Sequence, residues 1–311
     1  MKLRDYDPLY DAGDAYRLWQ ESGCYPLTPS LFARYVSGRR AYRSGDAVVA
    51  ERDGNIVGLG IIDAGRRGGA ARHASIILVL VDLKERGQGL GSAIVRELEH
   101  WIQSEGVDTV HAGGWFWPGI PVEPAAPLEF FKSLRYEPGQ EVFDLVIPLS
   151  GFQASSKTGD LLRSLGVEAR FLSSTDLASA IEYQLREFPW WVDPLLDILP
   201  YDMEDVLLLL RGDEVIGCAM AFTPSSRTIV AGLQRQAELE TPIGALGAVG
   251  IAESWRGKGL GIAMCEMAAR HIEAAGATHI YVEEVEQHIV PFYLKMGGQV
   301  HGRCVLASKK L

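Results

Sequence analysis

The 311-residue chain carries 30 Lys and Arg against 40 Asp and Glu, a formal charge of −10, and is 47% hydrophobic and 23% charged. That is an ordinary globular composition with core enough for two domains, and the acidity argues against a generic nucleic-acid binder, which needs a basic face. The opening MKLRDYDPLYDAG has no apolar signal core and no apolar run reaches the length of a membrane span, so a cytoplasmic protein is expected.

In the first half, AVVAERDGNIVGLGII (47–62) reads as two strands about a turn at Asp53-Gly54. The apolar strand ASIILVLV (74–81) leads into a glycine-rich hexapeptide, RGQGLG (86–91). Ile94, Val95, Leu98, Trp101 and Ile102 then recur at helical spacing over 92–105, and Gly106 stops that helix. A strand, DTVHAG (108–113), an aromatic and proline loop, GGWFWPGIPVEP (113–124), and the segment PLEFFKSLRY (127–136) follow. Two readings of that loop stand: a cover for the second half's site, or an interdomain contact.

The second half repeats the order. VLLLLRGDEVIGCAMAF (206–222) turns at Arg211-Gly212-Asp213, and GALGAVGI (244–251) leads into RGKGLG (256–261). A helix over 262–275 has Ile262, Cys265, Ala268 and Ile272 on one face and ends at Gly276; THIYVEE (278–284) and IVPFYLKMGG (289–298) follow. The hexapeptides lie 170 residues apart. Equal order with drifting loop lengths predicts a duplicated domain, 1–149 and 166–311, joined through a linker, 150–165, whose SGFQASSKTGD (150–160) is rich in Ser and Gly.

A strand, a loop with three glycines and a helix make a phosphate-binding arrangement. Glycine lets backbone N–H groups approach a ligand with no Cβ in the way, and the helix N-terminus adds unpaired donors and partial positive charge. Arg256 and Lys258, or Arg86 in the first copy, add formal charge. A tight strand-to-helix turn also uses glycines, but two copies in matching contexts weigh against that alone. Neither copy is a GxxxxGK[ST] loop. The spacing also misses the third glycine of a dinucleotide fingerprint, where Met264 and Ile94 stand; a dinucleotide-binding protein remains a weaker alternative. Cys24, Cys218, Cys265 and Cys304 are scattered and the seven histidines show no ligand spacing, so no metal is expected.

R-x-x-G-x-G between a strand and an amphipathic helix is similar to the coenzyme A loop of the GCN5-related N-acetyltransferase (GNAT) superfamily, and PFYLKMGG (291–298) resembles that superfamily's last motif. The resemblance covers both halves, so the chain looks like a tandem acetyltransferase. It is also similar, more weakly, to bacterial tandem members that act on amino sugars or small thiol-containing cofactors. The resemblance implies acetyl-CoA as cofactor, with Val249 and Ile251 giving backbone contacts to the pantetheine arm. It implies that the N–H groups of Arg256, Gly257, Lys258, Gly259, Leu260 and Gly261 hold the pyrophosphate. The equivalents in the first half are Val79, Val81, Arg86, Gly87, Gln88, Gly89, Leu90 and Gly91. The Asn that many members carry after the fifth strand is missing from HIYVEEVEQHIVPFY (279–293), where Gln287 is a loose substitute.

The superfamily's chemistry is direct attack of an amine on the thioester, with an acid, usually a Tyr of the last motif, near the departing thiolate. That position is Tyr293 in the second half and Phe131, which has no proton to give, in the first. A pool of Glu283, Glu284 and Glu286 stands ready to take the amine's proton; strand alternation puts Glu284 and Glu286 on one face and Glu283 on the other. In REFPWWVDP (186–194), Trp190 and Trp191 beside Glu187 and Asp193 read either as an aromatic wall for a cationic or sugar acceptor or as a core staple.

The expected fold is thus mixed α/β (α+β), two tandem GNAT-type domains, each a mixed, mostly antiparallel sheet flanked by helices. The N-terminal domain reads as non-catalytic and the C-terminal domain as catalytic. The expected function is acetyl-CoA-dependent N-acetyl transfer to a small amine, an amino sugar being one candidate, with no nucleic-acid or membrane partner. The competing class is a non-catalytic acyl-CoA-binding or sensor protein, which Tyr293 argues against.

Overall fold

The computed structural model describes residues 2–22, 24–37, 45–67, 70–113, 118–150, 157–229 and 231–311. The first half of the chain forms β1 (Lys2–Asp5), α1 (Pro8–Glu21), α2 (Pro29–Ser37), β2 (Ala47–Arg52), β3 (Asn55–Arg67), β4 (Ala70–Val81), α3 (Leu90–Ser104), β5 (Thr109–Ala112), β6 (Ile120–Pro121), α4 (Ala126–Ser133) and β7 (Glu137–Pro148). The second forms α5 (Lys157–Leu165), β8 (Glu168–Phe171), α6 (Leu177–Glu187), α7 (Val192–Asp202), β9 (Val206–Arg211), β10 (Glu214–Phe222), α8 (Gln236–Leu239), β11 (Ile243–Ile251), α9 (Leu260–Ala274), β12 (His279–Glu286), α10 (Val290–Leu294) and β13 (Gln299–Lys310). No helix among the described residues is long and apolar enough to cross a membrane.

Local chemistry sets these elements where the sequence suggests. Arg52 pairs with Asn55, so Asp53 and Gly54 alone make the first hairpin turn, both at positive φ (52° and 79°) as a two-residue turn between twisted strands requires. Ile94, Val95, Leu98 and Ile102 form the buried stripe of α3 and pack on Ala74, Ile76, Val110 and Ala112 of the sheet. Burying each such aliphatic side chain contributes about 1.5–3 kcal/mol.

The chain forms two compact units, Met1–Asp144 with Glu284–Val290 and His301–Leu311, and Leu145–Glu283 with Pro291–Val300. A single cut near residue 150 does not part them, because each takes in strand from the other half's sequence. In the first unit the strand order is β1-β2-β3-β4-β5-β13-β7, with β13 antiparallel to β5 from Ala307↔Ala112 to Lys310↔Thr109. In the second the order is β12-β11-β10-β9-β8, with the last residues of β7 beside β12. The registered pairs β1–β2, β2–β3, β3–β4, β5–β13, β8–β9, β9–β10 and β10–β11 are antiparallel, and β4–β5 and β11–β12 are parallel. That is not the parallel sheet of a dinucleotide fold. Residues 151–156 of the expected linker lie outside the described residues, and Lys157–Leu165 is not linker but α5, whose Thr158 hydroxyl donates to Glu266 on α9. Of the aromatic loop 113–124, residues 114–117 likewise lie outside them; Ile120–Pro121 pairs with β13 inside the first unit.

The last strand is fixed to the first unit by a buried ion pair. Lys309 Nζ donates to Glu99 Oε1 and Oε2 at 2.9 and 2.8 Å, and the buried Tyr136 hydroxyl donates to Glu99 Oε1 at 2.9 Å. Removing the lysine leaves a carboxylate uncompensated in the core. Lys309→Met is expected to destabilise the protein by about 2–3 kcal/mol in urea unfolding, below the roughly 3–5 kcal/mol of a fully buried pair because Lys309 keeps some solvent contact. Adding Glu99→Gln to Lys309→Met should recover part of that loss.

Candidate active site

In both units the parallel strand pair separates soon after it forms. β11 pairs with β12 at Ile243↔His279, Gly244↔Ile280 and Ala245↔Tyr281, and the registered pairs stop there. β4 and β5 do the same at Ala74↔Val110, Ser75↔His111 and Ile76↔Ala112. The register is identical, with 36 residues between partners in each. Just past the last pair, Ala248 and Val249 of β11 stand against Ala219 alone, a bulge with Ala248 at φ 48°. Ile77 is the extra residue of β4. A bulge bends its strand, which turns the far end of β11 away from β12 and leaves its backbone edge open to a ligand. Val249 and Ile251, and Val79 and Val81, lie half-buried on these stretches.

Beyond each strand the hexapeptide enters its helix through two left-handed glycines, Gly257 and Gly259 (φ 76° and 82°) and Gly87 and Gly89 (φ 74° and 81°). Gly259 and Gly89 are the N-caps of α9 and α3, and neither helix has a side-chain cap. The first N–H groups of such a helix have no intrahelical acceptor and suit a phosphate. A Cβ on Gly257 or Gly87 would meet nothing within 4 Å, which is the open side of the cradle. Gly259 differs, since a Cβ there would stand 3.2 Å from Leu161 Cδ2 of α5.

The loop cations are turned to bracing. Arg256 Nε donates to the Ile251 carbonyl at 3.0 Å, and Lys258 Nζ donates to the Ser254 carbonyl at 3.2 Å while lying 4.2 Å from the centre of the Trp255 ring. Arg86 and Gln88 do the same through the carbonyls of Val81 and Lys84. Leu260 and Leu90 are buried as the first residues of their helices. Gly261 and Gly91 admit an aromatic ring: a Cβ would come 3.4 Å from Phe292 and 3.2 Å from Phe130.

These rings identify their successors, Tyr293 and Phe131, as equivalent positions. Tyr293 is buried beside Phe292, ring centres 5.0 Å apart. Burial, and then the nearby Cys265, raise its phenol pKa well above the ordinary value, so the proton stays on at neutral pH. Phe131 packs edge-on to Phe130 and Tyr136.

The three acids separate. Glu284 is at φ 56°, which breaks the two-residue alternation of β12, so the expected sharing of one face by Glu284 and Glu286 does not hold. Glu284 and Glu286 fall in the first unit; there the Glu284 N–H donates to Asp144 at 3.1 Å and Glu286 lies exposed beside His288. Glu283 belongs to the second unit. Gly244, registered with Ile280, faces Ile272 of α9, so Tyr281 and Glu283 face away from that helix. Glu283 therefore sits two residues past the last registered pair, on the arm of β12 that borders the gap. Its Oε1 accepts from Gln234 Nε2 at 2.8 Å. At the matching register position in the first unit, 169 residues earlier, the sequence has Gly114, which lies outside the described residues.

The tryptophan segment anchors on the same strand. Phe188 lies where a Cβ on Gly250 would come within 2.4 Å of its ring, Trp191 stacks on Phe188 at 4.8 Å, and Trp190 is 51% exposed. Glu187 is not part of a free acidic wall. Its carboxylate accepts from Arg186 Nε at 3.1 Å and the Glu253 N–H at 3.2 Å. Burial works to raise its pKa, but these bonds, with Arg186 and Arg256 nearby, outweigh it and hold Glu187 below the usual carboxylate range. Asp193 is buried.

Tyr183, Phe188, Gly250 and Gln234 escaped the sequence reading. A glycine inside a strand, which marks a close approach, was the one available signal for Gly250. The buried Tyr183 hydroxyl donates to the Gly250 carbonyl at 2.9 Å and so pins β11 next to its bulge. Tyr183→Phe should lower stability by about 1–2 kcal/mol by leaving that carbonyl unmet, and should weaken coenzyme A binding in calorimetry more than a remote change of equal stability.

The sequence matches the profile of the Acetyltransferase (GNAT) family over residues 13–114 and 175–298. The fold is similar to the GCN5-related glucosamine N-acetyltransferase region of a fungal multi-domain GH3 β-N-acetylglucosaminidase, at TM-score 0.87 and 21% identity over 99% of this chain. The chain spans 38% of that protein's length. It is also similar to a GCN5-related N-acetyltransferase from Sphaerobacter thermophilus, at TM-score 0.70 and 20% identity over 99% of this chain and 95% of that one. A tandem GNAT protein from the clavulanic acid biosynthesis pathway matches at TM-score 0.66 and 12% identity, over 99% and 98% of the two chains. At these identities the likeness is one of fold. No curated protein is found to match the sequence. With the family profile matched in each half and the same splayed strands, loop and helix in each unit, the chain belongs to the acetyltransferase (GNAT) family as a tandem of two GNAT domains.

Proposed function

We propose that the second unit binds acetyl-CoA along the open edge of β11 and acetylates a primary amine of a small molecule, with an amino sugar as the acceptor class. One observation carries this reading: the same backbone site is built twice, and among the described residues the second copy alone has a carboxylate and a phenol at its gap. The two left-handed glycines, the uncapped helix and the unpaired strand edge fit a pantetheine arm and a pyrophosphate. Val249 and Ile251 would hold the arm, and the N–H groups from Arg256 to Gly261 the pyrophosphate. When bound, acetyl-CoA supplies the acetyl group as a thioester.

Glu283, whose carboxylate is held by Gln234, takes a proton from the acceptor's ammonium and so frees its lone pair. Tyr293, kept protonated by burial, holds a proton for the departing sulfur. Trp190, exposed on a stacked aromatic base, offers an apolar face to a sugar ring. The likeness to a region that acts on glucosamine in the fungal protein supports the amino-sugar class. The first unit keeps the loop and lacks both groups, with Gly114 and Phe131 at their positions in the sequence, which favours a binding or structural role there.

The test is thiol release from acetyl-CoA with glucosamine and a panel of primary amines. Glu283→Gln should lower kcat by about 10²–10⁴, and Tyr293→Phe by the low end of that range because a thiolate already leaves well. Both variants should bind coenzyme A much as the parent does. Full kcat in both, with chemistry rate-limiting, would leave the site without its acid and base.

A further inference from the structure

We infer that residues 223–229 and 231–242, between β10 and β11, form a fixed arm that holds Glu283 in place, with Gln234 as the positioning residue. The inference rests on the reading of Glu283 as the base. The corresponding strands of the first unit, β3 and β4, are joined through residues 68–69 alone. At the register position of Glu283 the sequence of that unit has Gly114. Arm and acid thus occur together.

The arm is tied down at its start by two buried carboxylates. Asp202 accepts the N–H groups of Arg227 and Thr228, each at 2.7 Å, and Asp205 accepts the Ser226 hydroxyl. Its far part is laid flat on β12. Ala231 and Gly232 are both left-handed, at φ 53° and 95°, and a Cβ on Gly232 would come within 2.1 Å of the Tyr281 ring. A non-glycine residue held in that region costs about 1–3 kcal/mol and persists only where its surroundings impose it. The next turn, Leu233–Arg235, then places Gln234 against Glu283.

Gln234 is fully buried, and turning its Nε2–H to the carboxylate leaves its own Oε1 with no hydrogen-bond partner among the described residues. Burying an amide oxygen so is unfavourable, and a leucine would fill the space without it. Gln234 therefore serves the carboxylate. A donor to the ionised form fixes the rotamer and favours the charged state. The other ionisable groups on the elements bearing the pair are Arg235, bound to Glu238 at 2.7 Å, and His279, Tyr281, Glu284 and Glu286 on β12.

The test is the pH dependence of kcat/KM for acetyl transfer to glucosamine by the full chain and its Gln234→Leu and Gln234→Glu variants. A base must be ionised to act, so activity is present above its pKa and is lost as pH falls through it. Loss of the donor raises that pKa. Gln234→Leu should move the acidic limb up by about one pH unit, which lowers kcat/KM about tenfold at pH values on that limb and leaves it recovered at higher pH. Gln234→Glu, which sets a second carboxylate against the first, should move the limb further. An unmoved limb in both variants, or loss by the same factor at every pH, overturns the inference while leaving the acetyl-transfer reading intact. A parent protein that acetylates none of the amines overturns that reading instead.

Discussion

Two strands that begin as parallel partners and then part determine what each unit can do. A parallel ladder normally hides its edge amides and carbonyls in pairing. Here the bulge at Ala248 and Val249 bends β11 out of register with β12 after three pairs. The freed edge faces a gap, and the chain then runs through two left-handed glycines into an uncapped helix. Backbone donors and acceptors thus line up along one path, independent of side-chain identity. The surrounding side chains serve the geometry: Tyr183 holds the Gly250 carbonyl, Phe188 fills the space above Gly250, and Glu187 caps the Glu253 N–H.

Because the path is made of backbone, duplication preserved it while side chains diverged. Register, bulge and glycine conformations recur in the first unit. What changed are the groups at the gap. Phe131 keeps the ring of Tyr293 without its proton, and the sequence position matching Glu283 is Gly114, without a carboxylate. On the proposed reading, the cofactor cradle is a property of the fold, and the proton chemistry is a property of a few side chains laid on it.

The repeat, the strand–loop–helix order and the Tyr293/Phe131 contrast were legible because each is local: a hexapeptide, a helical period, a pair of rings. The exchange of strands was not. β13 reaches β5 by long-range pairing, and nothing in Gln299–Lys310 marks which sheet it enters. Choosing among the acids needed the left-handed turn at Glu284, which breaks a period that residue types alone suggest is intact. Glu187, Arg256 and Lys258 looked available to a ligand since charge is visible in sequence and its hydrogen-bond partners are not. Gln234 lies 49 residues from Glu283, in a connection with no motif of its own.

The most direct measurement compares acetyl transfer to glucosamine by Gly87→Val and Gly257→Val. Both glycines are left-handed and both face open space, so each substitution imposes the same backbone strain and fills the same side of its loop. If the second unit alone does the chemistry, Gly257→Val abolishes transfer while Gly87→Val keeps most of it. Equal losses, or loss only with Gly87→Val, would contradict the assignment of catalysis to the second unit.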